Sequence, residues 1–379
     1  MKKLIALLMA CVMAFGLCAC GSSAPAEAPA AAPAADEVRS AEEPNTQIVV
    51  DSLGREVELP LEVNRIVALS NVPRMVVFLG LADKVVGYSG MEPDKVTPQT
   101  AYAYAVKDIW ADVPIVGTDA GGNTDYYPEQ IIAVQPDVIL CGYAQEAAEQ
   151  LYAQTGIPVV SVSLGTLFQE DYNEALRLIG KVCGVEDRAE EVINYINACL
   201  EDLDARTRDI PEDDKPSCLS AAATFKGAHG IEGVRINDQV LAAVNAKDVT
   251  AGQAEGEQSV EVDLEQILAW NPDFIFCDYG GVKLVENNAA ENPEFFAQLT
   301  SYGSNQIYQY PSSTSYYSNV EIPLANAYFV GKLLYPEQFT DIDVTEKANE
   351  IFKFFLGVDN YMQILEESGS GYTTVDFGN

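Results

Sequence analysis

Histidine is nearly missing: His229 stands alone in 379 residues, and two tryptophans compare with nineteen tyrosines. One imidazole excludes a helix-borne HExxH centre and disfavours naked zinc or manganese, whose sites usually draw on several histidines. Positive charge is scarce too, with 22 Lys and Arg against 57 Asp and Glu and a formal net charge of −35. Such a surface argues against nucleic acid and against adhesion to anionic lipid. No GxSxG elbow, GxGxxG turn or P-loop follows a strand candidate, so an enzyme is not expected. No CxxC spacing occurs either. Cys141, Cys183, Cys199, Cys218 and Cys277 are an odd set, several of them in apolar runs, and read as buried free thiols and not as a disulfide framework or zinc site. Beyond the first twenty residues no apolar stretch is long enough to span a bilayer.

What is present begins at the N-terminus. Lys2 and Lys3 precede an apolar run from Leu4 to Leu17, the layout of a secretory signal. The run ends in Leu17-Cys18-Ala19-Cys20, which resembles a bacterial lipobox. Residues 1–19 are therefore expected to be a lipoprotein signal peptide, and Cys20 the acylated residue holding an extracytoplasmic protein to the membrane by lipid alone. Residues 20–46, rich in Ala, Pro, Glu and Ser, cannot bury a core and read as a disordered stalk.

The globular remainder carries an internal echo. EQIIAVQPDVILC from Glu129 to Cys141 recurs as EQILAWNPDFIFC from Glu265 to Cys277, eight identities in thirteen at an offset of 136 residues. That spacing is too long for a solenoid and suggests two homologous lobes. Each copy reads as a short helix, a Pro-Asp turn and an apolar strand of the sort buried on both faces of a parallel sheet. Pro128 suits a first helical position, and Asp263 with Gln266 three residues on makes a capping-box pattern. Strand candidates are Arg65–Ser70, Val85–Tyr88, Pro114–Gly117, Asp137–Cys141 and Pro158–Ser163 in the first half, then Ser217–Ala222, Asp273–Cys277 and Gln306–Tyr310. Alternation with helices implies an α/β fold of two Rossmann-like lobes, 47–168 and 211–379. Between them 169–210 is charged and helically periodic and reads as one long bridging helix, with Gly180 and Gly184 as weak points. Helices over Ile322–Leu334 and Val344–Leu356 are expected to pack back onto the second lobe.

The lipobox, the stalk, VVDSLGREVELPLEVNRIVALS from Val49 to Ser70, the paired EQI-to-PDxI units and the tail from Asn319 to Val344 together resemble the iron-complex and vitamin B12 class of ABC-importer substrate-binding proteins. The resemblance covers nearly all of the chain from Gln47 to Asp359. It implies a rigid interlobe helix and a ligand cleft between the lobes, with delivery to a permease dimer and its ATPase by a monomer with no cofactor of its own. It also implies that an acidic residue opening the repeated helix of each lobe docks on permease arginines. The matching positions are Glu129 and Glu265, where a carboxylate also suits the helix dipole.

The ligand implied is an iron chelate: a ferric siderophore, haem or a corrinoid. Residues expected to meet it lie in loops after strands: Asn71, Arg74, Tyr88, Met91, Tyr143 and Tyr279, together with Lys226 and His229 of KGAHG and Tyr316 and Tyr317 before the last helices. Tyrosine can stack on a macrocycle or catecholate and offers a hard oxygen to ferric ion, and arginine can pair with a ligand carboxylate. No direct metal site on the protein is expected, with His229 or a tyrosine the residues able to form one. A binder of another small solute such as an oxyanion, an exported enzyme and a sensor on the same fold are the alternatives.

Overall fold

A computed structural model describes residues 45–118, 125–312 and 319–378. The expected signal peptide, Cys20 and nearly all of the expected stalk lie outside them, as do Tyr316 and Tyr317. Strands β1 (Thr46–Val50) and β2 (Glu56–Pro60) form an antiparallel hairpin. The buried Asp51 carboxylate fastens it to the next sheet by accepting from the Ser161 amide at 3.1 Å.

The first sheet is wholly parallel and contains β3 (Ile66–Ala68), β4 (Val85–Ser89), β5 (Ile115–Gly117), β6 (Val138–Cys141) and β7 (Val159–Ser161) in the order β5-β4-β3-β6-β7. Around it lie helices α1 (Val72–Phe78), α2 (Ala101–Ala105), α3 (Pro128–Ala133) and α4 (Gln145–Thr155). The strands are short apolar runs because both faces are covered. Ile66, Ala68, Val138 and Leu140 point into one cluster, and Val67, Ile139 and Cys141 into another.

Two helices follow, α5 (Glu170–Cys183) and α6 (Glu186–Thr207), where the periodicity predicts one. Gly184 is the reason: at φ 68° it caps α5 in the left-handed region, which a side chain would strain. Gly180 stays helical and serves another purpose, since a Cβ there would stand 2.8 Å from that of Ala189 on α6.

The second sheet contains β8 (Ser217–Ala221), β9 (Gly233–Ile236), β10 (Lys247–Asp248), β11 (Gln258–Glu261), β12 (Phe274–Asp278), β13 (Ile307–Tyr310) and β14 (Thr373–Thr374). Their order is β11-β9-β8-β12-β13-β14, with β10 beside β8. Helices α7 (Gln239–Ala243), α8 (Leu264–Trp270), α9 (Tyr279–Glu291), α10 (Pro293–Phe296) and α11 (Thr300–Gly303) belong to this half. The sequence repeat now has a structural meaning. Asp137 Oδ2 accepts the amides of Asn64 and Arg65 at 2.8 and 2.9 Å, and Asp273 Oδ2 accepts the Ser217 amide at 2.8 Å, so each Pro-Asp ties its strand to the start of the central strand. Pro128 opens α3 as expected, whereas Asp263 precedes α8 without a side-chain capping bond, so the capping box does not form.

The last helices are α12 (Glu321–Leu334), α13 (Val344–Leu356) and α14 (Tyr361–Glu367). They are expected to pack back onto the second lobe, and they reach further. α12 packs on α6 and α7, but α13 reaches α1 and α2 of the first half. Its apolar stripe of Ile351, Phe352 and Phe355 is fully buried and needs a large apolar partner, which Phe78 supplies edge-on at 5.1 Å. Arg188 of α6 locks the joint, donating to the carbonyls of Phe78 at 3.1 Å and Phe354 at 2.8 Å. One apolar cluster therefore runs from Ile66 and Leu140 through α5 and α6 to Cys218, Phe276 and α13.

Candidate functional site

In the first sheet the chain leaves β3 in one direction for β4 and β5 and in the other for β6 and β7, so the crevice beyond β3 is a topological switch point, where open α/β sheets bind ligands. Ser70, at φ 59°, turns the chain there; Asn71 holds the N-cap position of α1 and Arg74 falls in its first turn. Both line a cleft of about 450 Å³ between the two halves.

The facing wall comes from the second half. Arg235 lies on β9 between buried Val234 and Ile236 and shares the cleft with Asp238, Glu257 and Tyr310. Its guanidinium bonds Asp278 Oδ2 at 3.1 Å and meets Glu257 at 3.5 Å. Burial alone would lower its pKa, but the charges of Asp278 and Asp238 outweigh that and raise it. Asp238 caps α7 by accepting the Val240 amide at 2.7 Å. Asn237, left-handed at φ 55°, fixes the loop that carries Glu257: its side chain donates to the carbonyls of Ala254 and Gly256 and accepts the Gly252 amide. Tyr310 shares a hydrogen bond with Ser220 at 3.0 Å.

Behind the first wall lies a buried acid. Glu321, the first residue of α12, has no exposed surface, and neither carboxylate oxygen finds a hydrogen-bond partner among the described residues. Burial pushes its pKa up to about 8, with the nearby Arg74 guanidinium opposing the shift. The same two charges act on the buried Tyr172, whose pKa is raised mainly by burial.

Of the tyrosines and loop residues expected at the ligand, the structure brings Asn71 and Arg74 to the cleft and places the other described ones elsewhere. Tyr88 is packed on Trp110 at 4.6 Å, and Tyr143 is buried beside Tyr126, so both are core residues. Met91 is half-buried beyond β4, outside the lining. Lys226 is exposed in a left-handed turn. His229 stacks on Phe225, accepts or donates at the Phe225 carbonyl through Nε2 and pairs with Glu261 through Nδ1, so both ring nitrogens are engaged by the protein. Tyr279 opens α9 and donates to the Ser368 carbonyl. Arg235, Asp238 and Glu257 are the residues that sequence reasoning missed; a lone arginine in Gly-Val-Arg-Ile is the signal that could have found them. Glu129 and Glu265 are exposed in the first turns of α3 and α8. The five described cysteines are all buried and free. Among the described residues no group of three or more His, Cys, Asp and Glu is placed to hold a metal ion, and no helix is long and apolar enough to cross a membrane.

Two lobes closing on a cleft lined by charge from both sides define a solute-capturing protein. The periplasmic binding protein family model matches residues 66–314, and the chain belongs to that family, as a substrate-binding protein of the ABC-transporter kind. An uncharacterized ABC transporter substrate-binding lipoprotein of Bacillus subtilis is 24% identical over 313 residues, covering 80% of this chain and 87% of the relative. The molybdate-binding protein MolA of Haemophilus influenzae is 23% identical over 331 residues, covering 82% and 90%. Among solved structures, a periplasmic solute binding protein from Veillonella parvula superposes with a TM-score of 0.66 at 21% identity over 86% of this chain and 98% of that one. Molybdate-bound MolA gives 0.64 at 21% identity over 83% and 98%.

Proposed function

We propose that this chain is a lipid-anchored, extracytoplasmic capture protein for a small iron chelate carrying anionic groups, which it hands to an ABC permease. The observation that carries the reading is the convergence of Arg74 and Arg235, from opposite halves, on one cleft of about 450 Å³, a size proper to a small organic ligand. A bare tetrahedral oxyanion is the second reading, favoured by the likeness to MolA. The named relatives also include an iron-uptake system-binding protein of Bacillus subtilis, 22% identical over 209 residues. The role is capture and release, not catalysis.

The test is a titration of the purified protein with ferric siderophores, haem, cobalamin and molybdate, followed by tyrosine fluorescence and calorimetry. Saturable binding of one chelate, weakened about tenfold or more by Arg74→Ala and by Arg235→Ala, is expected, as each removes a charge-assisted hydrogen bond. Binding of molybdate alone would move the assignment to the oxyanion, and binding of none would remove it.

A further inference from the structure

The second-lobe wall holds more negative charge than it can satisfy. Arg235 is the one cation among the described cleft-lining residues of that wall, and around it stand Asp238, Glu257 and, behind, Asp278. Asp278 is spent: one oxygen takes the Gly280 amide at 2.9 Å and the other takes Arg235. Asp238 is not. It is 2% exposed, and while Oδ1 caps α7, Oδ2 has no hydrogen-bond partner among the described residues. A buried acceptor left in that state is costly, and native structures rarely keep one without a use. Burial and the charge of Asp238 push Glu257 up to about 7, the behaviour of two carboxylates facing one space. On the opposite wall Asn71 Oδ1 is likewise buried without a hydrogen-bond partner among the described residues. Acceptors in want of donors therefore face each other across the cleft.

We infer that Asp238 and Glu257 form a subsite for a positively charged, N–H-donating group of the ligand, so that the cleft recognises a dipolar chelate, its anionic part toward Arg74 and Arg235 and its cationic part toward the two second-lobe carboxylates. The inference rests on the reading that this cleft is the ligand site. An ammonium arm would supply the donor that Asp238 Oδ2 lacks and would hold Glu257 ionised beside it.

Hexaamminecobalt(III), a compact and inert cation presenting N–H groups on every side, is the probe. Calorimetric titration of the full-length protein in detergent, at 0.15 M salt to screen surface charge, should show one tight equivalent. Asp238→Asn, which keeps the helix-capping oxygen, and Glu257→Gln should each weaken it about tenfold or more. Glu149→Gln, on the exposed face of α4, should not. Equal affinity in all four proteins, or no tight equivalent in the unaltered one, would overturn the subsite. If ferric chelates bind while Asp238→Asn changes neither chelate nor cobalt binding, the subsite fails and chelate capture stands. If cobalt binds through Asp238 while no chelate does, the subsite stands and the proposed ligand class fails.

Discussion

Glu321 is the residue whose surroundings make the sharpest physical demand. A carboxyl with its folded pKa raised from 4.5 to about 8 binds a proton in the folded state that the unfolded chain has already released. Stability linked to this group is therefore full below about pH 4.5, falls as the pH climbs toward 8 and is level above it. Glu321→Gln should abolish that slope and raise the melting temperature at pH 8 relative to the unaltered protein, by the equivalent of a few kcal/mol. Thermal denaturation at pH 5 and pH 8 checks this; the same difference between the two proteins at both values would contradict it. Arg74, a neighbour of Glu321, was readable from sequence because it follows an apolar strand directly. Glu321 was not, because nothing in Asn-Val-Glu-Ile-Pro tells that the first turn of α12 is sealed from water.

At the scale of elements, α3 and α8 are equivalent by sequence, by the strand each precedes and by the tie that each Pro-Asp makes to a central strand. Their first-turn carboxylates, Glu129 and Glu265, stay exposed, which suits contacts that must form and release. Reversing both to lysine should leave ligand affinity unchanged while abolishing ligand-stimulated ATP hydrolysis by the reconstituted transporter. Stimulation that survives the double reversal would remove the docking role. The repeat made these elements legible, since apolar strands between Pro-Asp turns and helices carry a strong pattern. β9 and β11 escaped because their half-polar sequences show neither a continuous apolar run nor a clear alternation, and with them went Arg235 and Glu257. The split of α5 from α6 was visible only as a glycine whose two outcomes, helical at Gly180 and left-handed at Gly184, depend on what packs nearby. The displaced tyrosines have a similar explanation. A tyrosine after a strand can turn toward solvent or into the core, and Trp110 and Tyr126 offered Tyr88 and Tyr143 packing partners that no local pattern announces.

For the whole molecule, the decisive feature is an apolar cluster shared by one face of each sheet, with α5, α6, α12 and α13 between them. Lobes joined in this way should unfold together, so calorimetry should record one cooperative transition. Phe355→Ala, removing the ring that meets Phe78, should cost about 3–5 kcal/mol and lower that single transition as a unit. Two separated transitions in the unaltered protein would show that the halves are independent.

The closing of the first half by α13 and α14 sets an order of events in time. Tyr361 of α14 donates to the Pro98 carbonyl at 2.6 Å, across 263 positions of chain, and Phe355 waits for Phe78 across a similar span. Contacts so distant in sequence form late and slowly. The N-terminal sheet, although made first, keeps an uncovered apolar flank until the final helices have been synthesised. In a family of extracytoplasmic proteins such a delay leaves the chain short of its final fold while it is still being made.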